Sequence, residues 1–273
     1  MRCPYYVVDA FADAAFTGNP AGVCPLSAWP ADATLQAVAA ENNLSETAFF
    51  VPARGGEADY ELRWFTPTTE VDLCGHATLA SGYVLAGICG VTKSPVRFAS
   101  RSGVLGVARD GKRHWLDFPA RPPQPLDDLD PFAEALGATP ERVLRHGEHG
   151  MALAVFGSRA EVAALDPDHA RIRALPSYGV IATAPGETHA FVSRYFAAHA
   201  GVPEDPVTGS AHTVLTPYWA RRLGRTSFTA RQISARGGEL ACRLDGERVH
   251  IGGRCRLYLE GRIHVPDPIE ETT

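Results

Sequence analysis

The sequence predicts an α+β fold that is made twice. Three observations carry that prediction. An Asp-Gly turn signal separates strand-like segments at Asp110-Gly111 and again at Asp245-Gly246. The stretch FASRSGVLGVARDG (98–111) matches ISARGGELACRLDG (233–246), placing Arg101 on Arg236, Gly103 on Gly238 and Leu105 on Leu240. A glycine opens a run of small and apolar residues 35 positions before the first Asp (110 − 75) and 36 before the second (245 − 209). Self-similarity at a fixed spacing is the mark of a duplicated architecture.

The elements follow in order. YYVVDAF reads as a strand, and ADATLQAVAAENN as a helix with Leu35, Val38 and Ala39 on one face. Strands TAFFV and YELRWF come next, then the apolar helix that starts at Gly75, then the hairpin VLGVAR/RHWLDF. The second half repeats the order: strand ALAVF, helical material around 158–175, strands YGVIAT and AFVSRYF, the helix after Gly209, and the hairpin LACRL/RVHIGG. Each Asp-Gly is expected to form a type I′ turn, which needs positive φ at both central positions. The helix after each glycine is apolar all round, so it belongs inside a sheet rather than on a surface. Pro217 should kink the second of these helices or loosen its ladder near Thr213. The Pro-rich stretch FPARPPQPLDDLDP (118–131) suits a linker. The expected domains are therefore 1–118 and 119–273, with the final strand free to pack back on the first. Each is expected to be a curved mixed sheet wrapped round one central helix.

Composition excludes several classes. The chain has 273 residues, 45% hydrophobic and 21% charged, with a net charge of −5, so nothing favours a nucleic-acid partner. Arg221, Arg222 and Arg225 fall where a helix should end and complement its dipole. Six cysteines without a C-x-x-C spacing argue against a disulfide framework or a structural zinc site. No H-E-x-x-H is present. MRCPYYVVDAFADAAF lacks the layout of a signal peptide, and no apolar stretch is long enough to span a bilayer. A cytoplasmic protein with reduced thiols, no metal and no membrane contact is expected.

The chemistry concentrates at the two glycines. A helix N-terminus carries unpaired N–H groups and a partial positive charge, and it accepts anions. Gly75-His76 and Gly209-Ser210 could clasp one small carboxylate; the alternative is that both glycines serve close packing. Glu46 stands at the start of an apolar strand, where desolvation raises a carboxyl pKa toward the range useful to a general acid/base. Its alternative is a paired structural glutamate or a sheet-edge charge. The second half has no acid at the corresponding place (LPSYGVIAT), and Cys74 has no cysteine twin. Anion binding is thus two-fold and acid/base chemistry one-sided.

The stretches AFTGNPAGV (15–23), NLSETAFF (43–50), RWFTPTTEVDLCGHATLASGYVL (63–85) and EDPVTGSAHTVLTPYWARRLG (204–224) resemble the PhzF family of phenazine-biosynthesis-like isomerases and epimerases. The resemblance implies the diaminopimelate epimerase fold: two pseudo-symmetric domains, each a barrel-like sheet wrapped round a central helix, with the active site in the cleft between them. In the phenazine enzyme the substrate is dihydrohydroxyanthranilate, a cyclic hydroxy-amino acid. By resemblance, Glu46 is the general acid/base, with His76 and Asp205 as further catalytic residues. Ser45, Cys74, Gly75, Gly209 and Ser210 become substrate-binding residues, Gly75 and Gly209 through their amides. No cofactor is implied, and the family is commonly dimeric. Diaminopimelate epimerase and proline racemase use two opposed cysteines; this chain keeps Cys74 alone, which counts against a two-thiol mechanism.

Three readings remain open on the sequence. The first is a cofactor-independent isomerase that moves a proton on a small carboxylic acid through Glu46. The second is a two-base epimerase, racemase or dehydratase using Glu46 and Cys74. The third is a non-catalytic protein that binds a small acid.

Overall fold

The computed structural model of the chain describes residues 2–265. The elements of the first half are β1 (Arg2–Ala10), β2 (Asn19–Pro25), α1 (Asp32–Asn42), β3 (Glu46–Pro52), β4 (Tyr60–Phe65), β5 (Glu70–Val71), α2 (Gly75–Gly87), β6 (Val96–Ser100), β7 (Gly103–Asp110) and β8 (Arg113–Pro119). Then come β9 (Gln124–Pro125), α3 (Asp130–Leu136), β10 (Arg142–Arg145), β11 (Ala152–Val155), α4 (Arg159–Ala164), α5 (His169–Ala174), β12 (Val180–Pro185) and β13 (Phe191–Phe196). A short 3-10 turn leads to α6 (His212–Leu223), β14 (Ser227–Gln232), β15 (Gly238–Asp245), β16 (Arg248–Gly253) and β17 (Cys255–His264).

The described chain divides into two compact units. Residues 2–16, 20–116 and 253–265 form unit 1; residues 17–19 and 117–252 form unit 2. The changeover at 116/117 differs slightly from the expected 118/119. The C-terminal strand lies with unit 1, the packing-back that the sequence division left open. Strand β1 is buried from Tyr5 onward and needs a neighbour; β17 supplies it, antiparallel from Arg2↔His264 to Ala10↔Cys255.

Each unit holds a mixed sheet, and the two sheets are paired in the same order. In unit 1, β2–β3 is parallel, β3–β4 antiparallel, β4–β6 parallel, and β6–β7 and β7–β8 antiparallel. In unit 2, β11–β12 is parallel, β12–β13 antiparallel, β13–β14 parallel, and β14–β15 and β15–β16 antiparallel. Parallel neighbours need a crossover connection, usually helical. Helix α1 supplies the first in unit 1 and α4 with α5 the first in unit 2. Helices α2 and α6 supply the second.

The crossover helices build the cores. Leu35 and Ala39 of α1 pack with Phe49, Val51 and Phe65, and partly buried Val38 joins them. Phe132, Val162 and Ile172 do the same in unit 2 against Val180 and Phe196. Each such fully buried large side chain contributes about 1.5–3 kcal/mol. Helix α2 is covered on most sides, from His76 through Gly82 and at Val84 and Leu85. Its buried hydroxyls are satisfied locally: Thr78 Oγ1 donates to the Cys74 carbonyl at 2.6 Å and Ser81 Oγ to the Ala77 carbonyl at 2.8 Å. Gly82 lets α2 lie against β7, since a Cβ there would stand 2.5 Å from Val107 Cγ1.

One local expectation changes. The hairpins turn one residue later than Asp-Gly. Asp110 pairs with Arg113 and Asp245 with Arg248, so Gly111-Lys112 and Gly246-Glu247 occupy the centres. Only the glycines have positive φ, +57° and +55°, the requirement of a type II′ turn rather than I′. Pro217 does lie inside α6. Lacking an N–H, it leaves the Thr213 carbonyl without its helical donor, and the backbone N–H of Arg121 takes that carbonyl at 2.9 Å. Among the described residues, no helix is long and apolar enough to cross a membrane.

Candidate active site

Two chain segments deliver the unit 1 cluster. Helix α1 ends because Asn43 adopts a left-handed conformation (φ 49°) and its N–H closes on the Ala39 carbonyl at 3.1 Å. Asn tolerates that region better than most residues. The chain then passes half-buried Ser45 and enters β3 at Glu46, which lies opposite Ala21 of parallel β2. From Thr47 to Val51 the strand is buried, so Glu46 is the point where it meets solvent, with 21% of its side chain exposed. The second segment is the start of α2. Cys74 is extended (φ −141°, ψ 109°) and offers no side-chain cap, and the helix begins at Gly75.

These segments bring Glu46, Cys74 and His76 together. Their donor atoms all lie within 4.8 Å of one another. The imidazole sits in the middle: Nδ1 is 3.5 Å from Cys74 Sγ, and Nε2 is 3.3 Å from Glu46 Oε2. Burial pushes the His76 pKa down to about 4, against the opposing pull of the Pro20 carbonyl. The ring is therefore neutral at pH 7, and its approach to Glu46 is not an ion pair. Nor is that 3.3 Å approach aligned as a hydrogen bond.

A half-buried arginine clamp precedes each glycine, and the sequence reading missed both. Arg63 on β4 donates from Nε and Nη2 to the two oxygens of Glu70, at 2.7 and 2.8 Å. Arg194 on β13 does the same to Glu204, both at 2.8 Å. Each guanidinium also lies over the phenylalanine two residues on, 5.1 Å from the Phe65 ring and 4.9 Å from the Phe196 ring. Glu70 and Glu204 stand five residues before Gly75 and Gly209 (75 − 70; 209 − 204). Bidentate pairs of this kind fix direction as well as distance, so each clamp pins the segment that leads into a site-bearing glycine.

Unit 2 carries a different set at the matching place. Asp205 Oδ1 accepts from Asn19 Nδ2 at 2.9 Å, and Oδ2 accepts a short bond from Thr208 Oγ1. Fully buried Gln232 braces the loop, donating to the Asp205 carbonyl at 2.7 Å and accepting from the Thr208 N–H at 2.9 Å. Desolvation pushes the Asp205 carboxyl up to about 6, while the Thr208 and Asn19 bonds pull it down and Glu204 pushes it further up. Thr208 occupies the position of Cys74, and Ser210 that of His76, each counted from its glycine. Asn19, Thr208 and Gln232 were not singled out from sequence. The alternating burial of β14 does place Gln232 on its inner face.

One expectation about the second glycine is corrected. Helix α6 begins at His212, so Gly209 and Ser210 precede it. Successive bonds from His212 N–H to the Gly209 carbonyl (3.0 Å) and from Thr213 N–H to the Ser210 carbonyl (3.1 Å) tighten this stretch into a turn. Among the sequence-derived candidates, Ser45, Glu46, Cys74, Gly75 and His76 fall in unit 1, and Asp205, Gly209 and Ser210 in unit 2. Among the described residues, Glu46, Cys74 and His76 also form a three-donor group able to hold a metal ion.

Known proteins place this molecule among the isomerases. The chain is 51% identical over 265 residues to an uncharacterized isomerase of Pseudomonas aeruginosa, covering 97% of this chain and 100% of that one. It belongs to the PhzC-PhzF family of phenazine biosynthesis-like proteins, whose family model matches residues 8–261. The crystal structure of a PhzF-family protein from Enterococcus faecalis superimposes with a TM-score of 0.91 at 43% identity, over 97% of this chain and 100% of that one. A hydroxyproline epimerase from Agrobacterium vitis, solved with bound trans-4-hydroxy-L-proline, shares the fold alone: TM-score 0.64 at 13% identity, over 98% and 94%.

Proposed function

We propose that the protein moves a proton between two carbons of a small carboxylic acid, of the cyclic amino or hydroxy acid class, with Glu46 as general acid/base. The observation that carries this reading is the Glu46 carboxylate standing 3.3 Å from a neutral, buried imidazole beside the uncapped start of α2. The substrate carboxylate binds the N–H groups of Gly75 and His76, where dipole and unpaired donors favour an anion. Glu46 then accepts a proton from an adjacent C–H, its electron pair passing into the substrate, and returns that proton to another carbon. A positioned acid/base of this kind is worth about 10²–10⁴ in rate. His76 orients Glu46, Ser45 takes the substrate-binding role and Asp205, Gly209 and Ser210 the supporting roles that the family resemblance implies. The bound hydroxyproline of the A. vitis epimerase supports the amino acid class. Side chains and backbone suffice for these steps without a cofactor. Six free cysteines suit a reduced cytoplasmic setting.

The 3.5 Å approach of Cys74 Sγ to His76 Nδ1 favours one second reading, in which Cys74 and Glu46 act as a coupled pair of bases. The test is proton NMR in D2O with a panel of cyclic and acyclic amino and hydroxy acids. Loss of a C–H signal with wild type, absent with Glu46→Gln and retained with Cys74→Ala, supports the first reading. Loss abolished by both variants supports the second. Ligand-induced melting shifts without exchange or a new product would sink both.

We further infer that the active form is a homodimer. Leu257, Tyr258 and Leu259 of β17 are exposed apolar side chains, and Phe16 packs edge-on against Tyr258 at 6.1 Å. An antiparallel second copy centred on Tyr258 sets Arg256 opposite Glu260, joining charge to apolar surface. Tyr258→Glu should then yield a monomer in analytical ultracentrifugation, and a wild type that is itself monomeric would overturn the inference.

A further inference from the structure

We propose that Glu46, Cys74 and His76 bind a thiophilic divalent cation of the zinc class, and that the occupied site is the enzyme's off state. Thiolate, imidazole and carboxylate are the three donor types that zinc takes from proteins. Tetrahedral bonds of about 2.3 Å to sulfur and about 2.0–2.1 Å to nitrogen set those two atoms roughly 3.5 Å apart. Cys74 Sγ and His76 Nδ1 are 3.5 Å apart already. One ion takes one ring nitrogen. The three donor atoms lie within 4.8 Å of one another, so a shift of Glu46 by roughly 1–1.5 Å closes the remaining edges. Glu46 has the room, being the partly exposed member, whereas Cys74 and His76 are buried at the start of a rigid helix. Ligands held this way lose little freedom on binding. Three protein donors leave the fourth position to water.

The binding step balances without an oxidant. The Cys74 S–H bond breaks, the sulfur–metal bond forms, and the proton leaves to solvent. The Glu46 lone pair is then directed at the ion instead of at a substrate C–H. That consequence rests on the acid/base role proposed for Glu46; the binding itself does not. Neither a C-x-x-C nor an H-E-x-x-H search reaches this set, because its members come from a strand start and a helix start 28 residues apart (74 − 46).

Cobalt(II) titration followed by absorbance tests the binding, since a cobalt–thiolate bond gives a charge-transfer band. The expected result is a band that saturates at one ion per chain. It should be retained in Cys89→Ser, where the exposed cysteine is removed, and lost in both Cys74→Ala and Cys74→Ser. Glu46→Gln and His76→Gln should each weaken binding at least about ten-fold, a loss already common for outer-shell partners. No band in the wild type, or a band that survives Cys74→Ser, overturns the site. Zinc added to the C–H exchange assay should stop exchange at the same stoichiometry. Exchange unaffected by zinc at spectroscopic saturation overturns the off state. Absence of exchange with every acid counts against the acid/base reading and leaves the spectrum to judge the site.

Discussion

The two units share a backbone plan and differ at the point where chemistry is placed. Both pair their strands in one order, both enclose a helix, and both clamp a glutamate five residues before the key glycine. After the clamp they part. Unit 1 sets a thiol and an imidazole around its glycine and aims a carboxylate at them from β3. Unit 2 sets two hydroxyl residues there and ties Asp205 into Asn19 and Thr208. The difference teaches that duplication preserved what fixes the chain in space, namely strand pairing and arginine clamps. The residues around the two glycines differ: a thiol and an imidazole in unit 1, two hydroxyls in unit 2.

The largest way to break this comparison is to remove the one-sided base. Glu46→Gln should lower exchange activity by about 10²-fold or more, while Asp205→Asn should lower it less if the base belongs to unit 1 alone. Kinetics of both variants on one substrate decide it. The clamps come next. Arg194→Met should cost about 3 kcal/mol, because it strands a largely buried glutamate. Arg63→Met should cost about 1–2 kcal/mol, because Glu70 keeps a second partner in Arg101. Urea unfolding compares the two directly.

A smaller effect separates titration in the two units. His76 and His114 in unit 1 and His212 in unit 2 are buried with pKa values pushed down to about 4. Unfolded histidine titrates near 6.5, so between those values the unfolded chain binds more protons, and stability rises with pH. Asp205 has the opposite sign: raised to about 6 from 3.8, it makes stability fall as pH rises through that window. Three groups oppose one, so the net slope from pH 4 to 6.5 should be positive. His212→Asn should flatten it by up to about 1.4 kcal/mol per pH unit, and unfolding curves at several pH values would show a failure. The smallest expected change is at Thr208. Thr208→Val removes a hydrogen bond to the ionised carboxylate and should move the Asp205 pKa above about 6. Stability should fall by about 1 kcal/mol, and carbon NMR titration of Asp205 reads the shift.

The repeat was legible because its marks are short and backbone-bound. A glycine, a hairpin turn and a buried helix each leave a local trace, so Gly75 and Gly209 pointed to α2 and α6. Glu46 was legible because a charge stood at the head of an apolar strand. The clamps were not legible, because Arg63 and Glu70 are seven residues apart while Arg194 and Glu204 are ten apart (70 − 63; 204 − 194). Loops of unequal length hide equal geometry. Asn19 lies 186 positions from Asp205, and no periodicity reaches across such a distance. The start of α6 was misplaced because Gly209-Ser210-Ala211 reads as helix while its bonds close one residue earlier. The partner of the Thr213 carbonyl is a backbone N–H, which no side-chain pattern records.

The pairing of β1 with β17 sets an order of completion during synthesis. Unit 2 needs residues 17–19 and 117–252, all of which have been made once position 252 is joined. Strand β1 opens unit 1, yet it has no β17 beside it until residues 255–264 have been made. The half that carries Glu46 is therefore the later to close, although it is the first to be translated. Until then β1 presents an open, apolar edge of the kind that pairs with stray strands. Chaperone demand and losses to aggregation during expression should thus fall on the first-made half, and a truncation that removes β17 should be insoluble while leaving every unit 2 contact encoded.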